Sequence, residues 1–129
     1  MAKTYTSEEI AEMNIQYSPR TSVQDAEGYL ANCAEMSAAV REKLDCTLDI
    51  AFGDSKGQKL DVFPAVTANS PVHLFIHGGY WRALDKSFYS HMAAPLLEAG
   101  ATVVVVNYDV CRIDGNIANR AFLASSSDD

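Results

Sequence analysis

Thr102-Val-Val-Val-Val-Asn-Tyr108 is apolar at successive positions, so a strand built from it must bury both of its faces. Such a strand belongs in the middle of a sheet with helices on either side, and its neighbours there are parallel. Val72-His-Leu-Phe-Ile76 reads as a second strand. Between the two, residues 85–98 carry Phe88, Met92, Leu96 and Leu97 at helical intervals, and Gly100 stands where a residue just past a helix end takes the left-handed conformation. A strand, helix and strand in this order predict a right-handed crossover and an α/β fold.

The flanking segments add a hairpin and two helices. From Asp45 the period changes to two, with Cys46, Leu48 and Ile50 alternating against Thr47, Asp49 and Ala51. A polar Gly53-Asp-Ser-Lys-Gly57 turn then returns the chain through Lys59-Leu-Asp-Val-Phe63, which predicts a β-hairpin. Upstream, Thr6-Ser-Glu-Glu9 has capping-box spacing and opens a helix over residues 7–17, ended by Ser18-Pro19. Residues 24–44 form a second helix with Ala26, Leu30, Cys33, Ala34, Ser37 and Val40 along one stripe. After Cys111 the pattern fades into Gly115, Asn116, Asn119 and Ser125-Ser-Ser-Asp-Asp129, with at most a weak helix over residues 117–123. The expected organisation is a helical segment at 1–44, an α/β core at 45–111 and a divergent, disordered tail at 112–129.

Composition narrows the classes of partner. A chain of 129 residues, 48% hydrophobic and 21% charged, suits one globular domain. Its net charge of −7 and lack of any Lys/Arg cluster argue against nucleic acid. Cys33, Cys46 and Cys111 are odd in number and widely spaced, which points to reduced thiols and away from a disulfide framework or a zinc site. The N-terminus lacks the apolar stretch of a secretory signal, and no apolar run is long enough to span a bilayer, so a cytoplasmic protein with no membrane role is expected.

His77-Gly-Gly-Tyr-Trp81 is where chemistry is expected, directly after an apolar strand and before a helix. Two glycines let the backbone turn sharply and leave N–H groups facing a cavity, which suits the negative charge that develops on a carbonyl oxygen during acyl transfer. A preorganised donor of this kind contributes roughly 3–4 kcal/mol to the transition state. A bare Gly-Gly pair more often makes only a tight turn, but the strand and helix around this one favour the functional reading.

His77-Gly-Gly-Tyr-Trp-Arg82 together with Asn107-Tyr-Asp-Val-Cys111 resembles the kynurenine formamidase (arylformamidase) branch of the α/β-hydrolases. Leu60-Asp-Val-Phe63 and Tyr17-Ser-Pro-Arg20 are similar to that family as well. The resemblance implies that Gly78, Gly79 and Tyr80 supply oxyanion-hole backbone donors. It also implies that Tyr80 and Trp81 line a pocket for an aryl formamide such as N-formylkynurenine, a substrate of tryptophan catabolism, with no cofactor and no metal. The family continues past this region with an amphipathic helix, a G-x-S-x-G elbow and later Asp and His, none of which is visible after Cys111. The expected fold is therefore an incomplete α/β-hydrolase lacking the C-terminal half of the sheet, from a truncated or frame-disrupted gene, and inactive alone for want of a Ser-Asp-His triad.

Several residues imitate catalytic ones. Gly53-Asp-Ser-Lys-Gly57 satisfies G-x-S-x-G literally, yet it joins two alternating strands, so Ser55 reads as a turn residue. Ser125, Ser126 and Ser127 lie in the polar tail. His73 and His77 are four apart on a strand, roughly 13 Å, too far to share a metal. His91 is expected near the surface of its helix, His77 as a brace for the loop, and Asp109 in a structural role. Cys111 has no base beside it in sequence. Two rival readings stand beside the first: a non-catalytic binding module or half of a split hydrolase completed by a partner chain, and a carboxylesterase acting on an aromatic ester. The resemblance further implies that the strand at residues 72–76 has one edge open to self-association or to a partner chain.

Overall fold

A computed structural model of the chain describes residues 4–111; the helix and tail expected within residues 112–129 lie outside the described residues. The chain divides between Asn32 and Cys33 into two compact units. In the first, α1 (Ser7–Tyr17) opens with the expected capping box: the Thr6 hydroxyl accepts from the Glu9 N–H at 3.2 Å, and the Glu9 carboxylate accepts from the Thr6 N–H at 2.8 Å. Ser18 breaks the helix. Pro19 then starts a short α2 (Pro19–Ser22), because a helix's first residue has no use for the N–H that proline lacks. Asp25, in the left-handed region at φ 57°, accepts from the Gly28 N–H at 3.1 Å and launches α3 (Ala26–Lys43), which runs on into the second unit.

The second unit is built on a four-stranded mixed sheet in the order β1 (Thr47–Ala51), β2 (Lys59–Phe63), β4 (Thr102–Val106), β3 (Val72–Ile76). The β1–β2 and β2–β4 pairs are antiparallel; β3 and β4 are parallel, with Val72 opposite Thr102 and Ile76 opposite Val106. The hairpin forms as expected, but its alternation is interrupted. Between the pairs Thr47–Val62 and Ile50–Leu60, β1 holds one residue more than β2. Asp49 takes up the excess at φ 58°, a bulge that turns its N–H onto the Asp61 carboxylate at 2.8 Å.

The core lies on one face of the sheet. Phe63, Val103 and Val105 are buried with Ala93, and Val40, Leu44, Cys46, Phe75, Tyr89, Leu96 and Leu97 pack around them. The segment at residues 85–98 departs from the single helix its periodicity predicts. It forms two 3₁₀ turns, Lys86–Phe88 and Ser90–Met92, and then a short α4 (Ala93–Glu98). Pro95 supplies the reason: it has no N–H for the carbonyl four residues back, so an α-helix is tolerated only if its first turn contains the proline. The inward residues shift accordingly, from the expected Phe88 and Met92 to Tyr89 and Ala93, while Leu96 and Leu97 keep their place. Gly100 closes α4 at φ 88°, as its position predicts.

The two-sided burial predicted for β4 is only half met within this unit. Val103 and Val105 are fully covered, whereas Val104 and Val106 on the opposite face are only partly covered. On the same face of β3, Val72, Leu74 and Ile76 are 65%, 55% and 59% exposed. No described helix is long and apolar enough to cross a membrane.

Candidate functional site

The loop at residues 77–84 leaves the sheet at the C-terminal end of β3, and the residues after β4 hold it. His77 is buried, with its ring stacked on Tyr108 at 4.3 Å between centroids and on Tyr89 at 5.9 Å. Asn107 fixes the imidazole. Its Nδ2 donates to the Asp85 carboxylate at 3.0 Å and its Oδ1 accepts from the Lys86 N–H at 3.2 Å, so the amide can face only one way. The two ring nitrogens of His77 each face an oxygen: Nε2 lies 3.0 Å from Asn107 Oδ1 and Nδ1 lies 2.7 Å from the Gly78 carbonyl oxygen. Tyr108 hydroxyl donates to the His77 carbonyl at 2.8 Å.

Past His77 the backbone enters conformations that side chains disfavour. Gly79 sits at φ 124°, and a Cβ there would overlap the Ala83 carbonyl oxygen, whereas a Cβ on Gly78 would meet nothing within 4 Å. Tyr80, Trp81 and Leu84 follow at φ 54°, 56° and 72°. Strained residues of this kind, costing about 1–3 kcal/mol each, persist only where surrounding contacts over-determine them. Here those contacts fall on carbonyls: Gly79 O accepts from the Arg82 and Ala83 N–H groups at 3.0 and 3.2 Å, and Trp81 O accepts from the Cys111 N–H at 2.6 Å.

The N–H groups are left over. Among the described residues, none accepts from the N–H of Gly78, Gly79 or Tyr80. A trans peptide points its N–H away from its C=O. Three successive peptides thus have a contacted carbonyl on one side and an open donor on the other. Both Tyr80 and Trp81 are exposed beside these donors, with their rings 5.9 Å apart.

Lys86, two residues past the loop, enters a buried ion pair that the sequence did not announce. Lys86 Nζ reaches the Asp61 carboxylate at 2.6 Å and the Asp49 carboxylate at 3.0 Å, with Asp61 only 1% exposed. Burial alone would pull the Lys86 ammonium down, but its bonds to the two carboxylates outweigh that and hold it above the ordinary lysine value. Asp49 is lowered, first by the hydrogen bond from Lys86 and then by its charge. Desolvation pushes Asp85 up, yet hydrogen bonds from Ser87, the Lys86 charge and the Asn107 amide together leave it below the usual carboxylate range. These groups border a polar cleft of about 390 Å³ lined by Arg41, Asp49, Lys59, Asp61, Asp85 and Lys86 among others; Tyr80 and Trp81 do not line it.

The residues that imitate catalytic ones have structural partners. Ser55 donates to Asp109, which also accepts from the Gly57 N–H at 2.9 Å, so both tie the hairpin turn to the end of the sheet. His91 lies less openly than expected: its N–H donates to Ser37 Oγ at 3.1 Å, and its Nδ1 lies 3.0 Å from that oxygen. Ser37 is fully buried, so this serine and histidine form a packing contact out of reach of a substrate. All three cysteines are free thiols. His77 braces the loop as its position suggested. Asn107, Tyr108 and Asp61 stood in the motifs that carry the resemblance but had no role assigned from sequence, and Asp85 and Lys86 were not singled out at all.

No protein-family model matches the chain. A crystal structure assigned as a thioesterase from Silicibacter sp. TM1040 shares 30% identity and a TM-score of 0.70 with it, covering 78% of this chain and 39% of that one. The sheet, its helices and the loop at the end of β3 thus form part of an α/β-hydrolase fold. By sequence the chain is a homologue of the kynurenine formamidases over its N-terminal portion. It is 34% identical to the one from Salmo salar over 98 residues, 74% of the chain and 33% of the relative. It is 31% identical to the one from Danio rerio over 107 residues, 77% of the chain and 36% of the relative. The chain spans about a third of the length of these curated relatives.

Proposed function

We propose that residues 77–81 are the oxyanion-binding loop of a kynurenine-formamidase-type hydrolase and that this chain, by itself, binds without turning substrate over. The carrying observation is the run of open N–H donors at Gly78, Gly79 and Tyr80 on peptides whose carbonyls are all contacted. Tyr80 and Trp81 contribute flat apolar surface for an aromatic amide or ester. In the reaction of the relatives' namesake, an aryl formamide would be attacked by a serine, with a histidine moving the proton and the loop holding the oxyanion. Among the described residues, Ser37, Ser55 and Ser90 are each held by other partners, which supports the reading that none of these three is a nucleophile. An oxyanion hole and binding alone retain about 10³–10⁴-fold over water even in a complete fold. The test is turnover of N-formylkynurenine and of a 4-nitrophenyl ester by the purified chain: rates should match buffer, and a rate that saturates with substrate contradicts the reading.

A second reading is favoured by the exposed apolar face of β3. Val72, Leu74 and Ile76 present the kind of surface that a further strand and helix of the same fold would cover, so the chain can act as one part of a split hydrolase. Co-expression with the remaining two-thirds of a kynurenine formamidase, followed by co-purification and assay, separates the two. Recovered activity supports the split enzyme, and two proteins that purify apart contradict it.

A further inference from the structure

Tyr108 is joined to the loop in three ways. Its ring stacks on His77 with planes 10° apart, and its hydroxyl donates to the His77 carbonyl at 2.8 Å while lying 3.5 Å from the Gly78 carbonyl. The two carbonyls belong to the peptides that carry the open Gly78 and Gly79 N–H groups. Because a peptide is planar, restraining its oxygen restrains the opposite N–H.

We propose that Tyr108 is a positioning residue for the oxyanion donors: its hydroxyl holds the peptide that carries the Gly78 N–H, and its ring keeps against the loop the His77 imidazole, whose Nδ1 faces the carbonyl of the peptide that carries the Gly79 N–H. The proposal rests on the oxyanion reading of the same loop. Tyr108 can do this without touching a ligand because it stands on the segment immediately after β4, whose parallel partner β3 delivers the loop. Asn107, one residue earlier, anchors the same imidazole from its Nε2 side. Two consecutive residues therefore hold His77 by its edge and by its face. Of the two, only Tyr108 also reaches the loop's backbone. Desolvation pushes the Tyr108 phenol above its ordinary value, so the hydroxyl keeps its proton, and its capacity to donate, throughout the neutral range.

Tyr108→Phe keeps the ring and deletes the donor. Backbone order parameters from ¹⁵N relaxation should be near 0.85 for Gly78 and Gly79 in the unaltered chain, and that of Gly78 should fall below about 0.6 in the variant. Phenylphosphonate, a tetrahedral aryl anion, serves as the binding probe, read by the fluorescence of Trp81, the chain's single tryptophan. Its Kd should weaken about fivefold, the effect of one hydrogen bond. The thermal melt should move by only a few degrees, which a purely structural role would not accompany with loss of order confined to the loop. Unchanged order parameters, or lost order with an unchanged Kd, overturn the proposal. Failure of phenylphosphonate to bind the unaltered chain refutes the oxyanion reading instead, and the order parameters still decide whether Tyr108 positions the donors. Should Tyr108→Phe not fold, hydroxyl-proton exchange in the unaltered chain decides: Tyr108 should exchange at least tenfold more slowly than exposed Tyr17, and equal rates overturn the proposal.

Discussion

Gly79→Ala and Gly78→Ala test the loop with the same added methyl group, one residue apart. At Gly79 the new Cβ overlaps the Ala83 carbonyl oxygen, and the residue sits at φ 124°, outside what an L-residue adopts comfortably. The conformational cost is about 1–3 kcal/mol. Relieving the overlap displaces Ala83 and endangers the two bonds donated to Gly79 O, each contributing about 1 kcal/mol. Since the loop lies at the surface, it can rearrange locally and limit the global loss to about 2–3 kcal/mol. At Gly78 the Cβ meets nothing and φ is not left-handed, so the change should stay within about 0.5 kcal/mol. Urea unfolding followed by circular dichroism gives the stability of each variant, and Trp81 emission reports on the loop itself. Gly79→Ala should lower the midpoint and alter the native emission, and Gly78→Ala should do neither. Equal losses in the two variants, or a larger loss at Gly78, would refute the loop geometry.

Lys86→Met leaves the Asp61 carboxylate buried without its cation and should cost about 3 kcal/mol in urea, with Asp61→Asn in the same chain restoring part of it; a loss below about 1 kcal/mol contradicts the ion pair. Lys86 is raised, so its contribution is complete below the ordinary lysine pKa of about 10.4 and disappears as pH rises through the folded value. Asp85 and Asp49 are lowered, so theirs is complete above about pH 4 and is lost as pH falls through the folded values. Thermal melts should accordingly show a plateau from about pH 5 to 9, and Lys86→Met should make the alkaline limb shallower, the raised Tyr108 and Tyr89 phenols accounting for what remains. Leu74→Lys puts a charge in the middle of the exposed β3 face and should abolish concentration-dependent association in sedimentation velocity; an unaltered chain that stays monomeric at all concentrations removes the reason for the variant.

The β-α-β unit was legible because each strand is a contiguous apolar run and the order of elements leaves few topologies. Gly100 and the Thr6 capping box were legible because their chemistry is local. The break of residues 85–98 into 3₁₀ turns was carried by Pro95, which apolar spacing at Phe88 and Met92 hid. The Asp49 bulge was less accessible still, since it depends on Asp61 and Lys86 meeting across 25 residues of chain. The loop itself announced its glycines. Its brace did not, because the roles of Asn107, Tyr108 and Asp85 exist only once β3 and β4 lie side by side. Sequence marks the glycines at which donors can be left open; it does not show which distant side chains hold the carbonyls.

On the proposed function, the open N–H groups of Gly78, Gly79 and Tyr80 receive a tetrahedral anion. Titrating the ¹⁵N-labelled chain with phenylphosphonate and following the amide resonances tests it most directly. Saturable downfield shifts are expected at these three amides, with Gly57 and the residues around the Asp49, Asp61 and Lys86 cleft unmoved. Shifts absent from the loop, or concentrated at that cleft, would contradict the proposed function.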